Sequence, residues 1–155
     1  MSGVSVWRLC AAAYAETAFS GEGARLYGGR WSPVGLPLVY TAESRALAVL
    51  EVLAHVDDPE RLRGREWAFI RADIPASAIE KPERVPDNWR QLPHSTATQQ
   101  FGAAWAREKR SAALRVPSVI VPGEFNYLLN PTHPGFKDIA LNAPDIFLFD
   151  PRLRK

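Results

Sequence analysis

An arginine, a tyrosine and a glutamate succeed one another in the segment running from Gly28 to Glu51, GGRWSPVGLPLVYTAESRALAVLE. The guanidinium of Arg30 offers a rigid fork of donors suited to a phosphate or carboxylate, and Gly28-Gly29 before it permits positive φ or a close backbone approach to a ligand. Tyr40 falls near the end of a short β-rich run, Leu36 to Thr41, where an aromatic ring can border a cleft. Ser44 is placed to cap a helix that opens near Arg45, and Glu51 is the only acidic group in that helix between Ala46 and Val56. Turn, strand and helix would thus carry an anion-binding group, an aromatic ring and a carboxylate from one local unit.

Each residue also has a plainer reading. On a helical wheel Ala46, Val49, Leu53 and Val56 share one face, and Glu51 lies opposite with Ser44, Ala48, His55 and Asp58, so periodicity by itself places Glu51 toward solvent. Gly28-Gly29 also fits an ordinary turn, Arg30 a surface ion pair and Tyr40 a half-buried strand position. His55, one helical turn beyond Glu51, can orient the carboxylate or simply face water.

The blocks GGRW, VYTAES and ALAVLE, in this order and at this spacing, resemble the RES domain, named for arginine, glutamate and serine. The later segment VPSVIVPGEFNYLLNP is similar to the same pattern, so the resemblance runs from about Trp7 to Asp150. It implies a single RES domain over 1–155 with an α+β fold like that of ADP-ribosyltransferases, a mixed or antiparallel sheet core with flanking helices. It further implies a toxin of a bacterial toxin–antitoxin pair, partnered by an antitoxin with an Xre-type helix-turn-helix region that blocks the active site. The implied substrate is NAD, degraded at its nicotinamide–ribose bond by hydrolysis or phosphorolysis, with inorganic phosphate as co-substrate in the second case. Transfer of ADP-ribose to a protein acceptor is the alternative, and a non-catalytic module binding a nucleotide or a protein is a further one. Carried onto this chain, the catalytic set is Arg30, Tyr40 and Glu51, with Gly29, Trp31, Ser118 and Asn130 expected to bind substrate. Ser32 stands after GGRW where the family often has asparagine, and it keeps a donor and an acceptor there.

These residue types suit that chemistry. The nicotinamide of NAD leaves already bearing positive charge, so its departure needs no general acid, and one carboxylate suffices where ordinary glycoside hydrolysis uses two. Glu51 would stabilise the oxocarbenium character that develops on the ribose, Arg30 would hold the pyrophosphate or ribose side, and Tyr40 would stack on or fence the nicotinamide. Ser118 would serve as a positioning donor. Arg25 and His133 are further groups for an acceptor anion, each with a structural alternative.

Composition sets outer bounds. With 155 residues, 46% of them hydrophobic, the chain suits one domain with a substantial core, and its 13 prolines argue against a simple helix bundle. Cys10 is the single cysteine, so no internal disulfide forms, and no secretory leader or membrane-length apolar run is read, which points to the cytoplasm. A net charge of +2 gives no case for nucleic acid, and with no CxxC, HExxH or paired histidines no metal is expected. The Rossmann glycine fingerprint is also missing, so NAD would bind as a substrate in another geometry, and no cofactor is expected.

The remaining chain supplies scaffold. Trp67 to Ile74 alternates as a strand, and the proline-rich stretch to His94 reads as a long connection able to cover a cleft. Thr96 with Gln99 suggests a capping box opening a helix to about Leu114, with Phe101, Ala104, Trp105 and Ala112 inward. Val116 to Val121 reads as a strand, and Gly123 to Gly135, with Asn126, Tyr127, Asn130 and His133, reads equally as a structured turn or as a binding segment. Ile146 to Phe149 reads as a last buried strand, followed by a basic tail from Arg152 to Lys155.

Overall fold

A computed structural model describes residues 3–153. One curled sheet organises them, in the order β4-β5-β6-β2-β1-β3-β7, with β8 also paired to β3. Its strands are β1 Val4–Ala11, β2 Val39–Ala42, β3 Trp67–Ile74, β4 Ile79–Glu80, β5 Ala113–Pro117, β6 Phe125–Leu129, β7 Ala140–Leu141 and β8 Asp145–Phe147. All pairings are antiparallel except β4 with β5. Three α-helices accompany it: α1 Glu22–Tyr27, α2 Arg45–His55 and α3 Thr96–Arg107.

Side-chain alternation along the strands divides the core into two layers. On one face Val6, Val39, Ile70, Ile74 and Leu129 pack beneath short 3₁₀ segments around Phe19 and Ile139. On the other, Leu9, Ala42 and Phe69 lie beneath α2 through Leu47 and Ala48, while Leu114, Val116 and Leu128 lie beneath α3 through Trp105. Tyr40 packs against the α3 cluster and Ala42, two places along the same strand, against the α2 cluster. The two helices therefore share one face of the sheet, and the furrow between them is floored by β2 and β6.

Several expectations hold as written: the strand at Trp67–Ile74, the helix from Arg45, and its cap at Ser44, whose side chain accepts from the Leu47 amide. Others require correction. The helix expected to reach Leu114 stops at Arg107, because Ala113 to Pro117 is drawn into the sheet between β4 and β6. Ala104 is exposed. No side-chain bond caps this helix at Ser95, and Gln99 reaches elsewhere. The strand expected at Val116 to Val121 lies earlier, and the presumed turn contains a full strand, Phe125–Leu129, paired on both sides. The last strand is not fully buried: Ile146 is 57% exposed, while Phe147 turns inward onto Phe69 and Phe149, just past the strand, onto Trp67. Arg152 pairs with Asp150, and the end of the basic tail lies outside the described residues. No helix among the described residues is long and apolar enough to cross a membrane.

Candidate active site

Gly28 ends α1 with φ at 69°, a left-handed value that glycine adopts without steric cost, and turns the chain into a tight bend in which Gly29 bridges to Ser32. The bend rests on Tyr40. The tyrosine hydroxyl lies 3.1 Å from the Trp31 amide, which donates to it, and 2.8 Å from Ser32 Oγ. A Cβ at position 29 would sit 2.6 Å from that hydroxyl, so Gly29 is required for the backbone to approach the phenol, and the close approach predicted from sequence is to Tyr40. Burial raises the Tyr40 phenol to about 12, against the opposing pull of Ser32, the Trp31 amide and Arg30. Tyr40 is therefore a neutral support under the arginine bend, with its hydroxyl engaged there and its ring partly exposed.

Arg30 projects from the bend into the furrow. Its Nη1 donates to the carbonyls of Trp89 and Gln91, each at 2.8 Å. The long connection before His94 thus touches the arginine through two backbone carbonyls, and Nε and Nη2 are left for a ligand. Burial lowers the Arg30 pKa, and nearby Glu51 and Tyr40 oppose that shift.

Glu51 is not a solvent-facing residue. Leu47 and Ala48 are the buried positions of α2, so the apolar face is rotated from the one the wheel predicts, Ala46 is exposed, and the Glu51 side chain retains only 26% of its exposure. Desolvation raises the carboxyl pKa, opposed in turn by a hydrogen bond from the Asn126 side chain, by His55 and by Arg30. Asn126 also donates from Nδ2 to the Thr41 carbonyl at 3.2 Å, which fixes its amide on the sheet floor. His55 Nε2 stands 3.9 Å from Glu51 Oε2 and is largely exposed.

Three residues expected to bind substrate are instead structural. Trp31 is 3% exposed and packs edge-on against Phe101 within the α3 cluster. The Ser118 hydroxyl is buried and accepts from the Ile120 and Val121 amides, stabilising the turn after β5. Asn130, 1% exposed, donates to the Ala106 carbonyl and accepts from the amide and hydroxyl of Thr132. Arg25 is taken by Glu22, and His133 accepts from the Gly135 amide. Sequence reading named Asn126 in a segment with turn and binding readings of equal weight without singling it out, and it missed the roles of Gln99 and His94. A separate surface cavity of about 200 Å³, beside Trp7, Arg45 and Phe69, is lined by none of Arg30, Tyr40 or Glu51.

Arg30, Tyr40, Glu51 and Asn126 therefore form one constellation: a cation partly free for an anion, a neutral support, and a carboxylate steadied by an amide. The RES domain family model matches residues 5–150. The chain belongs to the RES-domain toxin family. Among its relatives, the Prs ADP-ribosylating toxin of Sphingobium sp. is 40% identical over 154 residues, covering 96% of each chain. A Toxin Res of Photorhabdus laumondii is 45% identical over 128 residues, 81% of each chain, and one of Yersinia enterocolitica is 37% identical over 150 residues, 96% of this chain and 99% of that one. The RES fold is shared with a chain in the crystal structure of the M. tuberculosis MbcT–MbcA toxin–antitoxin complex, at a TM-score of 0.73 and 21% identity, covering 94% of this chain and 85% of that one.

Proposed function

We propose that this protein is the toxin of a bacterial toxin–antitoxin pair and that it breaks the nicotinamide–ribose bond of NAD in the cytoplasm, held in check by an antitoxin of the Xre type. The observation that carries the reading is the convergence of Arg30 and Glu51 on one furrow, with Asn126 holding the carboxylate. The free side of the Arg30 guanidinium takes the pyrophosphate by charge-assisted bonds and fixes the dinucleotide along the furrow. Glu51, ionised, faces the ribose as positive charge develops on it. Its partial desolvation strengthens that attraction in the transition state over the ground state. The nicotinamide departs neutral, with no proton to be supplied. Water as acceptor yields ADP-ribose, and phosphate yields its 1″-phosphate. A second reading, transfer of ADP-ribose to a protein side chain, is favoured by the name of the Sphingobium relative.

The test is to incubate antitoxin-free protein with NAD, with and without inorganic phosphate, and to identify products by mass. Nicotinamide release that disappears in Glu51→Ala is expected. Release only when a cell extract supplies a protein acceptor would select the transferase reading, and no release under any condition would sink both.

Asn126 provides a finer check on Glu51. The working form of Glu51 is ionised and its pKa is raised, so cleavage should fade on acidification at a higher pH than for an ordinary carboxylate. Asn126→Ala removes a hydrogen bond to the ionised form. The acid limb of kcat should therefore move to still higher pH, which a pH–rate profile of variant against wild type would read. A limb that stays in place would separate Asn126 from Glu51.

A further inference from the structure

Gln99, on the first turns of α3, bonds to the arginine bend rather than to its own helix. Its Nε2 lies 3.1 Å from the Gly29 carbonyl and 3.3 Å from the Ser32 carbonyl, the two residues whose bridge closes the loop around Arg30. The same nitrogen lies 3.2 Å from His94 Nε2. Carbonyl oxygens only accept, so the side-chain amide must present its N–H₂ to them. An amide nitrogen has two hydrogens and no acceptor capacity. His94 Nε2 must then be the accepting, unprotonated nitrogen, sharing a hydrogen with one of the carbonyls, and the imidazole carries its proton on Nδ1. A proton on Nε2 would point at an N–H₂ group that cannot receive it.

We infer that Gln99 is a positioning residue for Arg30, and that its clasp on the bend closes fully only while His94 is neutral. The inference rests on the reading of Arg30 as the group that binds the NAD pyrophosphate. Gln99 touches no reacting atom: it fixes the two carbonyls that flank Arg30, while Tyr40 supports the same bend from the sheet side. Protonation of His94 breaks one arm of the clasp and adds a positive charge near Arg30 and His55. Desolvation first, then Arg30 and His55, lower the His94 pKa, which keeps the clasp closed through neutral pH. As pH falls through that lowered value the bend loosens and NAD affinity drops. This loss appears in KM, whereas ionisation of Glu51 appears in kcat.

The experiment follows KM and kcat for NAD from about pH 8 to about pH 5.5, across the imidazole range, in wild type, Gln99→Ala and His94→Gln. Gln99→Ala should raise KM about tenfold at neutral pH, the loss of a well-placed hydrogen bond. Wild-type KM should climb on acidification, and His94→Gln, a neutral acceptor that does not titrate, should abolish the climb while the acid limb of kcat persists. A Gln99→Ala KM equal to wild type, or an unchanged acid climb in His94→Gln, overturns the inference. Nitrogen-15 NMR of the His94 imidazole needs no turnover: the Nδ1–H tautomer is expected, and Nε2–H overturns the clasp whatever happens to NAD. The expected tautomer in a protein that neither binds nor cleaves NAD would instead overturn the proposed function and leave the clasp standing.

Discussion

Glu51→Gln is expected to lower NAD cleavage about 10²–10³-fold, the scale of losing one preorganised transition-state stabiliser, while raising the melting temperature at neutral pH. The two effects share a cause. Burial raises the Glu51 pKa in the folded protein, so ionisation at neutral pH opposes folding. The contribution of this carboxyl to stability is fully present below the pKa of the unfolded chain and is lost as pH rises through the higher folded value. Glutamine carries no charge and keeps an oxygen to accept from Asn126. Its advantage over wild type should therefore be greatest above the folded pKa and should vanish on acidification, as thermal melts at several pH values would reveal. A variant that loses activity and melts lower at neutral pH would mean that Glu51 is a structural ion-pair partner. Loss of toxicity on expression without antitoxin should accompany the loss of cleavage.

The second large effect is expected at Gly102, in the middle of α3. Alanine is normally the better helix former, yet a Cβ here would lie 1.8 Å from the Trp31 carbonyl oxygen and 2.9 Å from its carbon. Both partners are backbone, so α3 must retreat from the bend. The cost should reach about 3 kcal/mol, lowering the melting temperature of a chain this size by about 6–12 °C. Because Arg30 precedes Trp31, the displacement should also lower cleavage about 10²-fold. Gly23→Ala is the control: it lies within α1 with nothing near its Cβ position, and it should leave the melt unchanged or slightly higher. Equal melts for the two variants would show that α3 does not seat on the bend.

The order of the site along the chain was legible because its parts are local. Gly29, Arg30, Tyr40 and Glu51 lie on a turn, a strand and a helix that follow one another, each with its own signals: paired glycines, a β-rich run, a serine cap. What escaped depends on contacts distant in sequence. Glu51 read as solvent-facing because a wheel knows only its own helix, whereas its hydrogen-bond partner Asn126 comes from far along the chain. Trp31 and Asn130 have the chemistry of ligand groups, but the same chemistry satisfies a core: one fills space under α3, and the other ties Ala106 to Thr132. The overextended helix has a similar origin. Alanine-rich sequence beyond Arg107 favours helix locally, and pairing with β4 and β6 overrides it.

The interleaved order of the sheet bears on when such a protein becomes dangerous to the cell that makes it. β2 meets β1 at Trp7 opposite Ala42, yet runs beside β6 along its whole length, from Val39 to Ala42. Chains emerge from the ribosome amino end first, and contacts distant in sequence form late. A nascent chain that has exposed only Arg30, Tyr40 and Glu51 still lacks the strand that flanks β2, the amide that steadies the carboxylate and the carbonyls that anchor the guanidinium. Synthesis itself thus imposes a delay between the appearance of Arg30, Tyr40 and Glu51 and the completion of the candidate site, an interval in which an antitoxin already folded can be waiting.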